Sequence, residues 1–576
     1  MTDGVGLGDA YGATLDRIKG QGGEKAKLGM AALMWISHSE RPLKANELCH
    51  ALAVNIGSPN LDTNNVPSAR ILLACCQGLL AVEKETSTVR LIHFTAQEYL
   101  RSYPKLFGSA HSALAETCLS YLGSHHVKTL PANPLSDLED SDFQTTPFLE
   151  YSSLYWGIHA KRELSDRVEL LALGLFDDYN NHISTKILLE AQELYGYSID
   201  FNNLSLFSGL HCASFFGIVE IVTSLLGEEG CDINQEDCVG NTPLVWAAQN
   251  GHERVVEILL GRGNINPDKP DKFGRTPLWR AAMSGHEGVV KTLLQRGEVN
   301  PDKPDKFGGT PLSCAALNGH NGVAIILLQR GEVNPDKPNG DGETPLWGAA
   351  LNGHEGMVKI LLQREVVNPD KPDKFGETPL SCAASKGHEG VVKILLQRDE
   401  VNPDKPDQFG ERPLSCAASN GHEGVVKILL QQHQVSPDKP NKFGVTPLSR
   451  AALNGHERVV KILLQRGEVS PNKPDNSGLT PLSCAAWNGH EGVVKMLLQR
   501  DEVDPNGPDG LGRTPLCCAA WNGHEAVVKI LLQEDGINPN EPDILGRTPL
   551  WHASERGHVG AISLLQPLAP VTPSAA

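Results

Sequence analysis

The sequence predicts a mainly α-helical chain: a solenoid of about eleven 34-residue helix-turn-helix units, preceded by three helices with a hairpin and then a helical linking region. Three observations carry this. The proline of T-P-L, or a near variant, stands at 243, 277, 311, 345, 379, 413, 447, 481, 515 and 549, every interval being 34 residues. Ten histidines, His252 through His558, recur at the same step. The 57 glycines and 38 prolines, with only 5% aromatics in 576 residues, fit no single compact core, and 28 of those prolines belong to the repeated pattern. One period before the first proline, Gly209 within SGLHCASFFG marks an eroded copy, so the units cover residues 205–566.

The unit KFGRTPLWRAAMSGHEGVVKTLLQRGEVNPDKPD shows why each piece folds as it does. Thr276 is placed to cap a helix whose first position is Pro277, where the missing N–H is harmless and φ is already helical. Gly285 ends that helix as a C-terminal cap. A second helix runs through Val289, Val290, Leu293 and Leu294, whose spacing makes one broad apolar stripe, and Gly297 ends it. The small pair Ala281-Ala282 lets successive helix pairs approach closely. NPDKPDKFG is too rich in proline for helix and is expected as a stiff loop or hairpin with a Phe-Gly tip. The recurring histidine is expected to bond turn backbone and tie adjacent units, with no nucleophile or acid beside it to suggest catalysis.

The pattern GxTPLxxAAxxGHexVVkxLL resembles the ankyrin repeat. It departs twice: the histidine usual after T-P-L is replaced by Val245, Trp279, Ser313, Trp347 and their equivalents, and the period is one residue longer than the usual 33 or so, the extra residue falling in the N-P-D-K-P-D loop. The resemblance implies an elongated, curved solenoid with a concave surface that binds a protein partner. Positions that vary between otherwise near-identical copies are the expected contacts. Before T-P-L these include Arg275, Glu343, Glu377, Glu411, Leu479, Arg513 and Arg547; after Ala-Ala they include Met283, Leu351, Leu453, Trp487 and Trp521. Glu343, Glu377 and Glu411 are expected to align as an acidic stripe. Trp487 and Trp521, one period apart, either stack as exposed neighbours available to a partner or pack between helices.

Residues 24–103 read as three helices, EKAKLGMAALMWIS, LKANELCHALAV and VPSARILLACCQ, followed by strands in LLAVE and TVRLIHF around the turn KETS: a helix-turn-helix with a wing. That arrangement often binds DNA, yet the third helix offers Arg70 as its only cation and the wing sets Glu83 and Glu85 against Lys84. LMWISHSERPLKANELCHALAV and VRLIHFTAQEYL resemble the winged-helix region after the nucleotide-binding domain of fungal NACHT-ankyrin proteins, an NLR-like group, and the winged-helix domain named after GPI inositol-deacylase. The resemblance extends through YSSLYWGIHAKREL and LFDDYNNHISTKILLEAQ and implies a relay of conformational state. GxxxxGK[ST] occurs nowhere, the closest glycine cluster being GQGGEKAKLG, and G-x-S-x-G is also missing, so neither nucleotide hydrolysis nor lipase chemistry is implied.

Net charge is −18, with 16 basic and 24 acidic residues in 1–204, and no basic block suits a polyanion or an anionic membrane. No apolar run approaches the roughly 18 residues of a membrane span. The thirteen cysteines, including Cys75-Cys76, Cys517-Cys518, Cys231 and Cys238, lack zinc-ligand spacing and read as reduced core residues. The expected divisions are a flexible N-terminus (1–20), a winged-helix-like domain (21–105), a helical linking and capping region (106–204), the repeats (205–566) and a disordered tail (567–576). The last unit, HVGAISLLQPLAPVTPSAA, is apolar where a terminal cap normally turns polar. The chain is expected to be a non-enzymatic scaffold for a protein partner, cytoplasmic though compatible with a nuclear location, with no membrane, nucleotide, cofactor or metal and no nucleic acid. The alternatives are an NTPase-switch receptor fragment whose P-loop domain lies elsewhere, or a winged-helix DNA binder.

Overall fold

The computed structural model describes residues 5–61, 65–130, 145–177, 179–191 and 206–569. They fall into two compact units, residues 1–300 and 301–576.

In the first unit, α1 (Val5–Gly20) and α2 (Gly23–His38) precede α3 (Ala45–Ala53) and α4 (Ala69–Cys75). The hairpin follows as β1 (Leu80–Val82) and β2 (Val89–Leu91), antiparallel with Ala81 opposite Arg90, and α5 (Phe94–Ser102) returns along the wing. Helices and wing thus stand where the sequence places them, with strands of only three residues. The flexible stretch expected over 1–20 is corrected: from Val5 it is helical, because Leu15 and Ile18 are one turn apart and buried. A Cβ at Gly29 of α2 would stand 2.9 Å from Ile18 and 2.8 Å from the Cys75 carbonyl, so glycine there admits both α1 and the end of α4. Tyr11 on α1 bonds Thr95 on α5 at 2.7 Å.

The linking region supplies α6 (Ala110–Leu122), α7 (His125–Lys128), α8 (Leu149–Arg162), α9 (Asp166–Phe176) and α10 (Ile183–Ala191). Trp35 of α2 meets Phe148 and Tyr151 edge-on, at centroid distances of 5.3 and 5.8 Å. At the other end α8 and α9 cover the first repeat: Trp156 packs on Phe216 at 5.2 Å, and Tyr179 bonds Cys212 Sγ at 3.1 Å. The described residues of the region thus pack on the first repeat; 131–144, 178 and 192–205 lie outside the described residues.

Three helix pairs, from Gly209–Phe216 with Val219–Leu225 to Pro277–Ser284 with Glu287–Leu294, complete the first unit. Eight more, from Pro311–Leu317 with Asn321–Leu328 to Pro549–Glu555 with Val559–Leu565, make the second. Thr276 accepts the N–H of Trp279 at 3.1 Å ahead of Pro277, so the proposed cap is real. In the seventh unit Arg412 replaces threonine at this site, and its guanidinium instead donates to the Gly410 and Pro440 carbonyls. The end of the last pair is a 3-10 turn, Gln566–Leu568; the tail from 570 lies outside the described residues.

Candidate interaction surface of the repeats

The recurring histidine joins one unit to the next. Nε2 of His422 lies 2.9 Å from the Ser385 carbonyl of the preceding unit, and His388, His456 and His490 do the same to Leu351, Ser419 and Leu453. The ring rests on the glycine between the helices of that preceding unit. Gly387 has φ 79°, and a Cβ there would stand 2.5 Å from Nδ1 of His422. The G-H pair is thus one joint spanning two units, which explains why both letters persist.

The loop is equally ordered. Oδ1 of Asp373 accepts the N–H groups of Phe375 and Glu377 at 2.9 and 2.8 Å, closing the turn before T-P-L. Lys371 reaches back to the carbonyl and carboxylate of Asp336, and Lys405 to those of Asp370, all at 2.7–2.9 Å. This lysine–aspartate ladder gives N-P-D-K-P-D its physical meaning: a loop that carries the lysine is pinned to the one before, whereas Gly507 and Glu541 stand at this position in the last two loops.

Against that fixed frame the predicted contact positions separate into kinds. In the first unit Arg275 is buried and ion-paired to Asp271 at 2.8 Å, whereas Met283 is half-buried. In the second, Arg513 and Arg547 are likewise held by Asp509 and Asp543, four residues earlier. These arginines are therefore not free cations. Asp543 sits at about 2: burial alone would raise it, but the Arg547 guanidinium and two backbone N–H groups outweigh that.

The acidic positions are also unequal. Glu343 accepts from Asn339 at 2.8 Å, and Glu411 from Asn441 at 2.6 Å and from Arg450. Among the described residues Glu377 has no such donor. Its carboxyl is raised above the usual range by burial, then by Asp373, Asp407 and Glu343, so Glu377 lies within electrostatic reach of Glu343.

Leu351, Leu453 and Leu479 are half-buried, as are Trp487 and Trp521. The two tryptophans stack at 6.3 Å with rings 25° apart, Arg513 lies 5.1 Å over Trp487, and Arg556 lies 4.6 Å over Trp521. The ladder continues to His552, 4.8 Å from Trp521. The tryptophans pack on each other and remain partly exposed.

One set of surface residues is missing from the sequence reading. Phe375, Phe409 and Phe443 sit at the tips of three consecutive loops and are 45–58% exposed. Their carbonyls do structural work, since Phe375 accepts the N–H of Gln408 and Phe409 that of Lys442, each at 2.9 Å, but their rings are left in solvent. The recurring F-G was the available signal: the turn requires the glycine and not the phenylalanine. The cysteines are chemically quiet; burial pushes Cys416 and Cys484 up to about 12.

On the winged-helix side, Arg70 is exposed on α4 and Arg90 of β2 pairs with Glu83 at 3.0 Å. No helix of the described residues is long and apolar enough to cross a membrane.

Comparison with known families places these observations. The family described as GPI inositol-deacylase, winged helix domain, matches residues 16–111. That described as Ankyrin repeats (3 copies) matches 210–305, 297–371, 364–441, 432–509 and 502–570. No curated protein matches the chain. Ankyrin repeats serve in general as protein-interaction scaffolds, and with more than half of its residues in such matches, this chain belongs to the ankyrin-repeat family.

Proposed function

We propose that the protein is a non-enzymatic scaffold that binds a protein partner through the variable positions of its repeats, with the strongest contact at the Trp487–Trp521 ladder. One observation carries this: side chains that recur are consumed by the G-H joints and pinned loops, whereas the ladder presents half-exposed aromatic surface on a rigid frame. Large rigid aromatics with a guanidinium over each face are effective anchors. The fitting partner presents an apolar side chain to the tryptophans and a carboxylate toward Arg556, which is exposed and makes no ion pair among the described residues.

The winged-helix and linking regions are proposed to relay the bound state, as the resemblance to NLR-like NACHT-ankyrin proteins implies, in the cytoplasm. Support comes from the direct packing of α8 and α9 on the first repeat. The test is a pull-down with the full chain, followed by affinity measurement on the purified partner. Trp487→Ala with Trp521→Ala should weaken binding by about 30-fold or more, the loss expected of a hot spot of about 2 kcal/mol. An unchanged affinity in a folded variant removes the ladder from the interface.

A further inference from the structure

Where the turn after α2 meets α6 and α8, three side chains from distant parts of the chain converge. Glu40 Oε1, His111 Nδ1 and His159 Nδ1 all lie within 4.8 Å of one another. The two imidazole nitrogens are 2.9 Å apart, and Glu40 Oε1 is 4.0 Å from His159 Nδ1. We propose that Glu40, His111 and His159 form a binding site for a divalent transition metal, with Zn²⁺ the best-suited ion.

The donor set is the first reason. Two neutral imidazoles and one carboxylate are the ligands Zn²⁺ takes when three come from protein, leaving a fourth position open. Distance is the second. With metal–nitrogen bonds of about 2.0–2.1 Å in a tetrahedron, ligand atoms stand roughly 3.3 Å apart. The nitrogens need to open by about 0.4 Å and the carboxylate to close by about 0.7 Å to meet that geometry, well within the freedom of the half-buried Glu40 and His111.

Support behind the ligands is the third reason. Tyr151 Oη lies 2.9 Å from His159 Nε2 and accepts the backbone N–H of Glu40 at 3.0 Å, so one hydroxyl steadies two of the three ligands. An outer partner of this kind fixes which ring nitrogen is free for a metal. The backbone N–H of His111 is itself held by Glu163 Oε2 at 3.0 Å. For their 2.9 Å contact to be a hydrogen bond one Nδ1 has to carry a proton, and that proton has to move to Nε2 of its ring before an ion can bind both Nδ1 atoms.

One group opposes the metal. The guanidinium of Arg162 binds both oxygens of Glu40, so a cation has to share that carboxylate. That competition makes the site testable in both directions. Bound metal would tie the turn after α2 to the linking helices across 71 residues between Glu40 and His111 and 48 between His111 and His159.

The test uses the full chain stripped with chelator and titrated first with Co²⁺, read by its d–d absorption, then with Zn²⁺ in competition by calorimetry. One tight site per chain is expected. Tyr151→Phe should weaken it roughly 10- to 100-fold through lost orientation of His159, and His111→Gln should remove it. Arg162→Gln keeps all three donors and should bind more tightly, a result that no general loss of folding can mimic. Absence of a tight site, weak binding that survives His111→Gln, or an Arg162→Gln variant that binds no better than the parent overturns the assignment; the second result marks an adventitious ion on surface histidines.

Discussion

Replacing Gly387 by alanine tests the joint that links one repeat to the next. At φ 79° the left-handed backbone costs alanine about 1–2 kcal/mol. The new Cβ would also stand 2.5 Å from Nδ1 of His422, so the imidazole has to withdraw. Withdrawal breaks the 2.9 Å bond from Nε2 to the Ser385 carbonyl, adding about 1–2 kcal/mol. The expected loss for Gly387→Ala is the sum, about 2–4 kcal/mol. His422→Ala alone should cost about 1–2 kcal/mol. In that background the alanine at 387 meets no ring, and only the backbone cost remains. The double variant should therefore be more stable than additivity predicts by about 1–2 kcal/mol. The measurement is urea denaturation of the parent, both single variants and the double, with amide exchange at Val391, Val392, Val425 and Val426 on either side of the joint. Because a solenoid is held by nearest-neighbour contacts, protection should fall in both flanking units. Strict additivity, or protection unchanged on both sides, refutes the reasoning.

Three other expectations follow from the loops and the cap. Asp373→Ala should destabilise by about 1–2 kcal/mol, since two part-buried N–H groups lose their acceptor; Asp373→Asn should be neutral or stabilising and should lower the Glu377 carboxyl toward its ordinary range, because Asn339 already serves Glu343 in this way. Carboxyl titration by NMR and denaturation midpoints check both. His252 is depressed to about 4, by burial first and then by Lys161, so the unfolded chain binds its proton while the folded chain does not. Stability it supports above pH 6.5 is therefore lost as pH falls toward 4, by about 3 kcal/mol in all, and His252→Gln should flatten the denaturation midpoint against pH over that window. Lys405→Ala, which cuts a half-exposed rung to Asp370, should cost only about 0.5–1 kcal/mol by the same denaturation assay.

The repeats were legible because a fixed period converts every local rule into ten tests at once: the threonine cap, the proline at the first helical position and the left-handed glycine are each confirmed in geometry. The ties of Arg513 and Arg547 were also present in the sequence as aspartate four residues before arginine, but a loop offers no periodicity that would bring such a pair together on paper. The helix from Val5 was hidden by its glycines, which outweigh Leu15 and Ile18 in any local reading and are overridden by packing on α2. The Glu40–His111–His159 cluster has no sequence signature at all, because its members are brought together only by the convergence of α6 and α8 on the end of α2.

The scaffold reading rests on the tryptophan ladder, and the direct test is the affinity of a purified partner for the full chain and for the Trp487→Ala, Trp521→Ala variant, with amide exchange at Val493, Val494, Val527 and Val528 confirming that the repeats stay folded. A loss of about 30-fold or more with protection intact is the predicted result. Equal affinity for the two proteins would contradict it.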